Sequence, residues 1–188
     1  MVTVNSTILG AAGEHYVLAE LLRRGFIAAK APEGVPNFDI VITDLRGQRL
    51  AAIQVKTRRD YPGGDKGWHM KSKHEELSSD HMFYVFVDVG ASEDSTVSFY
   101  VLPSSLVADV CRISHEIWRR TPNSKGGEHG DSILRRMLPK YELPKYAQKM
   151  GYLPPKKHVE FFKSHAAGWM EKYRNAWHLI DQVGKQSL

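Results

Sequence analysis

Near the start of the chain, apolar residues recur three and four positions apart: Ile8, Leu9, Ala12, Tyr16, Ala19 and Leu22. That spacing predicts an amphipathic helix over 6–24, closed by Gly25, a residue that accepts the left-handed conformation of a helix end. The pattern then shortens to alternation. FIAAKA (26–31) reads as a short strand broken by EGVPN, and FDIVITD (38–44) as a β-branched strand. LRGQ is a tight turn leading to a hairpin partner, RLAAIQVKT (49–57). A polar, Gly-rich stretch containing YPGGDKG makes 58–68 a loop, and SKHEELSS (72–79) a short helix. HMFYVFVDVG (81–90) and TVSFYVLP (96–103) are two further strands.

From Ser104, a good N-cap, SSLVADVCRISHEIWRR reads as a helix, followed by the loop TPNSKGGEHGDS. PKYELPKYAQKMGYLPPKK has too many prolines for a long element. A last helix is expected over 159–180, with Trp169, Tyr173, Trp177 and Ile180 on one stripe that suits core or dimer packing better than base stacking. The expected architecture is α/β: a core over 1–103 and a helical C-terminal extension over 104–188, with no linker between them.

Composition adds bounds. Of 188 residues 42% are hydrophobic and 25% charged, enough for a packed core. The single cysteine, Cys111, excludes an internal disulfide and a cysteine-based zinc cluster. The first twenty residues lack a signal-peptide pattern and no apolar run could span a bilayer, so a soluble cytoplasmic protein without membrane partners is expected. The net charge of +5 is uneven. Residues 1–110 carry 11 Lys and Arg against 14 Asp and Glu, whereas 111–188 carry 15 against 7. A basic C-terminal third suits a phosphate backbone, and equally a solvated surface.

Candidate chemistry lies in the hairpin. Gln54 and Lys56 are two apart on one strand and so point to the same face. An amide beside an ammonium is costly to bury without partners. Asp39 opens the facing strand, and the turn length sets it near Ile53 or Gln54. Glu14 comes from the leading helix. Carboxylate, carbonyl and amide oxygens can hold a hard cation such as Mg²⁺, which activates water at a phosphodiester. In that scheme Asp39 anchors the metal, Gln54 gives its side-chain oxygen, Val55 its backbone carbonyl, and Glu14 a direct or water-mediated ligand. Lys56 stabilises the charge that develops. Taken singly, Glu14 could equally complement a helix dipole, Asp39 cap a loop, and Gln54 with Lys56 line a solvated edge.

The segments GEHYVLAELLRRGF and NFDIVITDLRGQRLAAIQVKT resemble the PD-(D/E)XK nuclease superfamily. They are most similar to the branch of archaeal Holliday junction resolvases and Mrr-like restriction enzymes. That branch pairs a helix Glu, here Glu14, with a strand Asp, here Asp39, and an acid-x-Lys pair, here Gln54 and Lys56. The resemblance spans residues 8–57 and extends to the strands before 103; it does not reach 104–188. It implies a restriction-endonuclease-like fold, a mixed central β-sheet flanked by helices. It also implies a Mg²⁺- or Mn²⁺-dependent endonuclease acting on nucleic acid, DNA above all, often as a homodimer. Two departures stand out: Pro36 is not adjacent to Asp39, and Gln54 replaces the acid, which removes one negative charge from the metal site. The alternative is a degenerate nuclease-fold module that binds nucleic acid or a protein partner without cutting.

The stretch after the hairpin interleaves basic residues with an aromatic. Arg58, Arg59, Trp68, Lys71 and Lys73 are candidates to grip a backbone and stack a base, with Lys73 the first choice for a phosphate. Nine histidines show no zinc-protease spacing, and GGDKG and KGGEHG lack the context of a P-loop.

Overall fold

The structure, a computed structural model, describes residues 5–47, 50–60 and 66–181. The last residue of the expected turn and the first of the expected strand after it, 48–49, and most of the expected Gly-rich loop, 61–65, lie outside the described residues.

Helix α1 (Ser6–Arg23) starts at Asn5, whose side chain accepts from the Thr7 backbone N–H, and ends before Gly25 at φ 85°. Its buried stripe is Gly13, Val17 and Leu21. The stripe expected from spacing is rotated away from this: Ile8, Tyr16 and Leu22 are exposed. The close approach of α1 to the sheet decides the face, because Gly13 stands where a Cβ would lie 1.8 Å from Thr57 Oγ1. A larger residue at that point would hold the helix off.

Strands β1 (Ile27–Lys30), β2 (Ile40–Thr43), β3 (Ala51–Arg58), β5 (Met82–Asp88) and β6 (Ser98–Pro103) form one five-stranded sheet in the order β1-β2-β3-β5-β6. β3 and β5 pair in parallel and the other neighbours are antiparallel, so the sheet is mixed. The hairpin register is Ile40↔Ile53 and Ile42↔Ala51, which brings Asp39 beside Gln54 as expected. β4 (Trp68–Lys71) and β7 (Leu134–Met137) form a separate antiparallel ribbon. That pairing joins the end of the Gly-rich loop to a segment beyond α2 (Ser104–Arg120), and local sequence does not reveal it.

Two hydrophobic clusters cover the two sheet faces. On the α1 side lie Ile40, Ile42, Ile53, Val55, Val85, Val87 and Val101. On the α2 side lie Tyr84, Phe86 and Leu102 with Trp68, Met70 and Met137 of the ribbon.

Several expectations fail locally. The helix over 72–79 is a single 3-10 turn, Ser72–Glu75. Ser104 is not the cap of α2; Pro103 is, and the Ser104 hydroxyl instead bridges the backbone N–H and carbonyl of Ser79, 2.9 Å from each. The proline-rich stretch, by contrast, behaves as expected: the helix within it, α3 (Lys145–Lys149), is only five residues long.

The last helix over 159–180 is divided. α4 (Lys156–Ser164) ends before Gly168 at φ 86°, a 3-10 turn follows at Glu171–Tyr173, and α5 (His178–Asp181) comes after Asn175 at φ 51°. Its aromatic stripe splits accordingly. Trp177 packs on Phe99 in the α1-side cluster, whereas Trp169 and Tyr173 lie against the other. Among the described residues, no helix is long and apolar enough to cross a membrane.

Candidate active site

The site begins where β2 stops short of β3. Beyond Asp39 the chain turns away at Asn37, which holds φ 79° immediately after Pro36. β3 runs on, so the Val55 N–H has no strand partner on that side. Asp39 Oδ2 takes it at 2.6 Å, and the Gln54 amide nitrogen donates to the same oxygen. Gln54 Nε2 also lies 3.4 Å from the Val55 carbonyl oxygen. Two of the oxygens expected to hold a cation, Asp39 Oδ2 and Val55 O, therefore converge on one point, where the partially positive amide stands. Turning the amide end by half a rotation would present Oε1 there instead.

Gln54 is 5% exposed and Lys56 lies beside it on the α2 side, each paired with an aromatic of β5, Tyr84 and Phe86. Burial raises the Asp39 carboxyl above its ordinary range; the Val55 N–H opposes this, and the nearby Glu14 carboxylate raises it further. Burial lowers the Lys56 ammonium, Asp39 supports its charge, and Lys73 and Lys71 oppose it. Glu14 reaches the site from α1 and pairs with Lys30 of β1 at 2.8 Å. All four expected residues, Glu14, Asp39, Gln54 and Lys56, thus come within electrostatic reach of one another.

Among the described residues, no three His, Cys, Asp or Glu side chains gather as a metal site. A cation here would draw on two carboxylates, an amide and a backbone carbonyl. That all-oxygen set suits a hard ion such as Mg²⁺ or Mn²⁺, and the mutual repulsion of Asp39 and Glu14 is what such an ion relieves.

The expected nucleic-acid contacts divide. Lys71 and Lys73 are exposed and lie on the same side as Lys56; Lys73 Nζ donates to Asn37 Oδ1 at 3.1 Å. Trp68 cannot stack a base. It is 1% exposed, its indole N–H donates to the Val87 carbonyl at 2.9 Å, and it packs on Phe86. Arg58 is committed to structure: its guanidinium pairs with Asp88, donates to the Lys66 carbonyl and lies 4.0 Å from the Trp68 ring centroid. Arg59 is half-buried, with its Nε shielded from water.

Two contributors escaped sequence reading. Asn37 turns the chain and holds Lys73; an Asn next to Pro36 was the available signal. His74 is buried under the site with Nδ1 2.7 Å from the Tyr84 hydroxyl, and burial with three nearby lysines pushes it down to about 4. Its ring is therefore neutral and adds no charge to an already basic cluster.

No family model matches the chain, and no curated protein matches it in sequence. Among solved structures it is similar to a bacterial homing endonuclease, with a TM-score of 0.51 and 17% identity over 98% of this chain and 96% of the other. It also matches Hjc, a Holliday junction resolvase of Archaeoglobus fulgidus, with a TM-score of 0.38 and 14% identity over 80% of this chain and 95% of the other. The five-stranded mixed sheet flanked by helices and the first of these likenesses identify the fold as restriction-endonuclease-like.

Proposed function

We propose that this protein is a divalent-metal-dependent endonuclease that hydrolyses phosphodiester bonds in DNA. The observation that carries the reading is the convergence of Asp39 Oδ2 and the Val55 carbonyl on one point, with Lys56 beside it and Lys71 and Lys73 on the open side. Asp39, the Val55 carbonyl, Gln54 through Oε1, and Glu14 would hold the cation, which when bound supplies a Lewis acid that lowers the pKa of water. Asp39 is held in place by the Val55 N–H. Lys56 sets a positive charge, poorly solvated and therefore strongly felt, against the phosphate oxygens as their charge grows. Lys71 and Lys73 hold the flanking backbone without regard to sequence.

A second reading has one observation in its favour. Gln54 replaces an acid, and its amide fills the cation position and satisfies Asp39. On that reading the fold binds nucleic acid or a protein partner and does not cut.

Cleavage of labelled linear, nicked, branched and single-stranded DNAs with Mg²⁺ or Mn²⁺ separates the two. Metal-dependent cutting that disappears in Asp39→Ala and in Lys56→Ala is the expected result. Absence of cutting on every substrate, with DNA retention indifferent to Asp39→Ala, would establish the binding module instead.

A further inference from the structure

Residues 73 to 75 send three consecutive side chains to three different places. They lie on the 3-10 turn Ser72–Glu75, where about three residues per turn set successive side chains roughly 120° apart. Lys73 Nζ donates to Asn37 Oδ1 at 3.1 Å, in the segment that leads into Asp39. His74 turns inward and is 1% exposed, with Nδ1 2.7 Å from the Tyr84 hydroxyl. Glu75 pairs with Arg135 of β7.

The first two contacts fall on opposite sides of the opened hairpin. Asn37 belongs to the chain entering β2, at the point where it diverges from β3. Tyr84 stands in register with Gln54, and Phe86, stacked on Tyr84 at 5.9 Å, stands in register with Lys56. Neighbouring strands lie about 4.8 Å apart, so the two rings wall both polar side chains. One short turn therefore touches the Asp39 side through Lys73 and the Gln54 side through His74.

The turn can set that spacing because it is itself fixed from behind. Arg135, which holds Glu75, is 8% exposed and also donates to the Leu134 carbonyl at 3.0 Å. The Ser72 N–H donates to the Ile133 carbonyl at 2.8 Å, just before β7. His74 and Tyr84 meet edge to face, their ring centroids 5.6 Å apart. Both are buried, so removing one partner of their hydrogen bond leaves the other unsatisfied. The chemistry needs such a support. Oxygens of Asp39 and Gln54 and the Lys56 ammonium must keep fixed separations, yet they come from strands that part at this point.

We propose that Lys73 and His74 are positioning residues of the candidate site: acting through Asn37 and Tyr84, they set Asp39 against Gln54 and Lys56. This rests on the nuclease reading above and adds to it the element that fixes the spacing of the site's two halves.

The test uses the full chain with Mn²⁺, whose free aquo ion is counted by electron paramagnetic resonance. Beside it, kcat and KM are measured for the DNA that wild type cuts best. Asn37→Gly removes the acceptor of Lys73, keeps the lysine charge and accepts the same φ of 79°. Tyr84→Phe removes the hydroxyl and keeps the ring. Both should lose about 10- to 100-fold in Mn²⁺ affinity and in kcat, the range for losing a group that orients a metal ligand, with KM for DNA unchanged. His74→Phe should match Tyr84→Phe. His74→Asn carries a polar atom where Nδ1 stands and should recover most of the loss. Circular dichroism and urea midpoints give the folded fraction of each variant.

Wild-type kcat and Mn²⁺ affinity in Asn37→Gly and Tyr84→Phe, where Asp39→Ala abolishes both, would overturn the positioning role and leave the nuclease reading standing. So would losses no larger than the loss of folded protein, or a loss in His74→Phe that His74→Asn does not recover. A wild type that neither binds Mn²⁺ nor cuts any DNA would overturn both.

Discussion

The two faces of the central sheet are built from different chemistry. The α1 side is largely aliphatic and dry: Ile40, Ile42, Ile53, Val55, Val85 and Val87 meet Val17 and Leu21 of α1. The α2 side is aromatic and includes polar groups, with Gln54 and Lys56 beside Tyr84, His74 and Phe86. Neighbouring residues of β3 therefore serve opposite purposes. Ile53 and Val55 stabilise the fold, while Gln54 and Lys56 give up some stability to hold poorly solvated polar groups where the chain opens at Asp39.

The strongest way to break this comparison is to alter both faces of the one strand. Lys56→Met should lower the rate of metal-dependent DNA cleavage by about 10²–10³-fold, the range for losing one preorganised electrostatic group, with stability altered by only about 1 kcal/mol. Ile53→Ala should do the reverse, costing about 2–5 kcal/mol in urea unfolding while the remaining folded protein keeps its cleavage rate. Equal effects of the two variants on rate and stability would abolish the division.

Acid should act through the polar face. His74 titrates at about 4 when folded against 6.5 ordinarily, so the unfolded chain binds more protons between those values. Stability should therefore fall as pH drops from 6.5 towards 4, by about 2 kcal/mol at pH 4.5. Urea midpoints at pH 7 and 4.5 should differ less in His74→Gln than in wild type. An unchanged difference would remove His74 as the cause.

The α1 side can be probed at its tightest point. In Gly13→Ala the added methyl meets Thr57 Oγ1, an overpacking cost of about 1–3 kcal/mol against about 0.5–1 kcal/mol gained in helix propensity. A net loss in thermal stability is expected, partly recovered by adding Thr57→Ala, since the two residues share one space. The smallest effect belongs to Lys30→Ala. Its pair with Glu14 is partly exposed and worth under about 1 kcal/mol, so a change in Tm of a few degrees at most is expected, diminishing with added salt.

Much of this was legible in the sequence because it is local. The Asp39–Gln54 juxtaposition follows from a short turn and strict alternation, and the strands over 38–57 and 81–103 follow from β-branched runs whose period is unmistakable. Where packing chooses between equivalent local patterns, sequence was a poor guide. Hydrophobic spacing points to the wrong face of α1 because Gly13, the residue that fixes the face, has no hydrophobicity to register. The C-terminal helix was read as continuous because Trp169, Tyr173 and Trp177 keep helical spacing, although Gly168 and Asn175 turn the chain so that they join different cores.

Sequence by itself determined the strands of the hairpin and the residues that meet at its open end, since strict alternation and a short turn set them, while the fold class followed from the resemblance carried by residues 8–57. Only the tertiary structure decided that Trp68 is core rather than a stacking platform, that Arg58 braces β3 against Asp88, and that β4 finds β7 more than sixty residues away. Those outcomes are set by long-range burial and by strand pairing across the chain, and no local pattern of side chains encodes them.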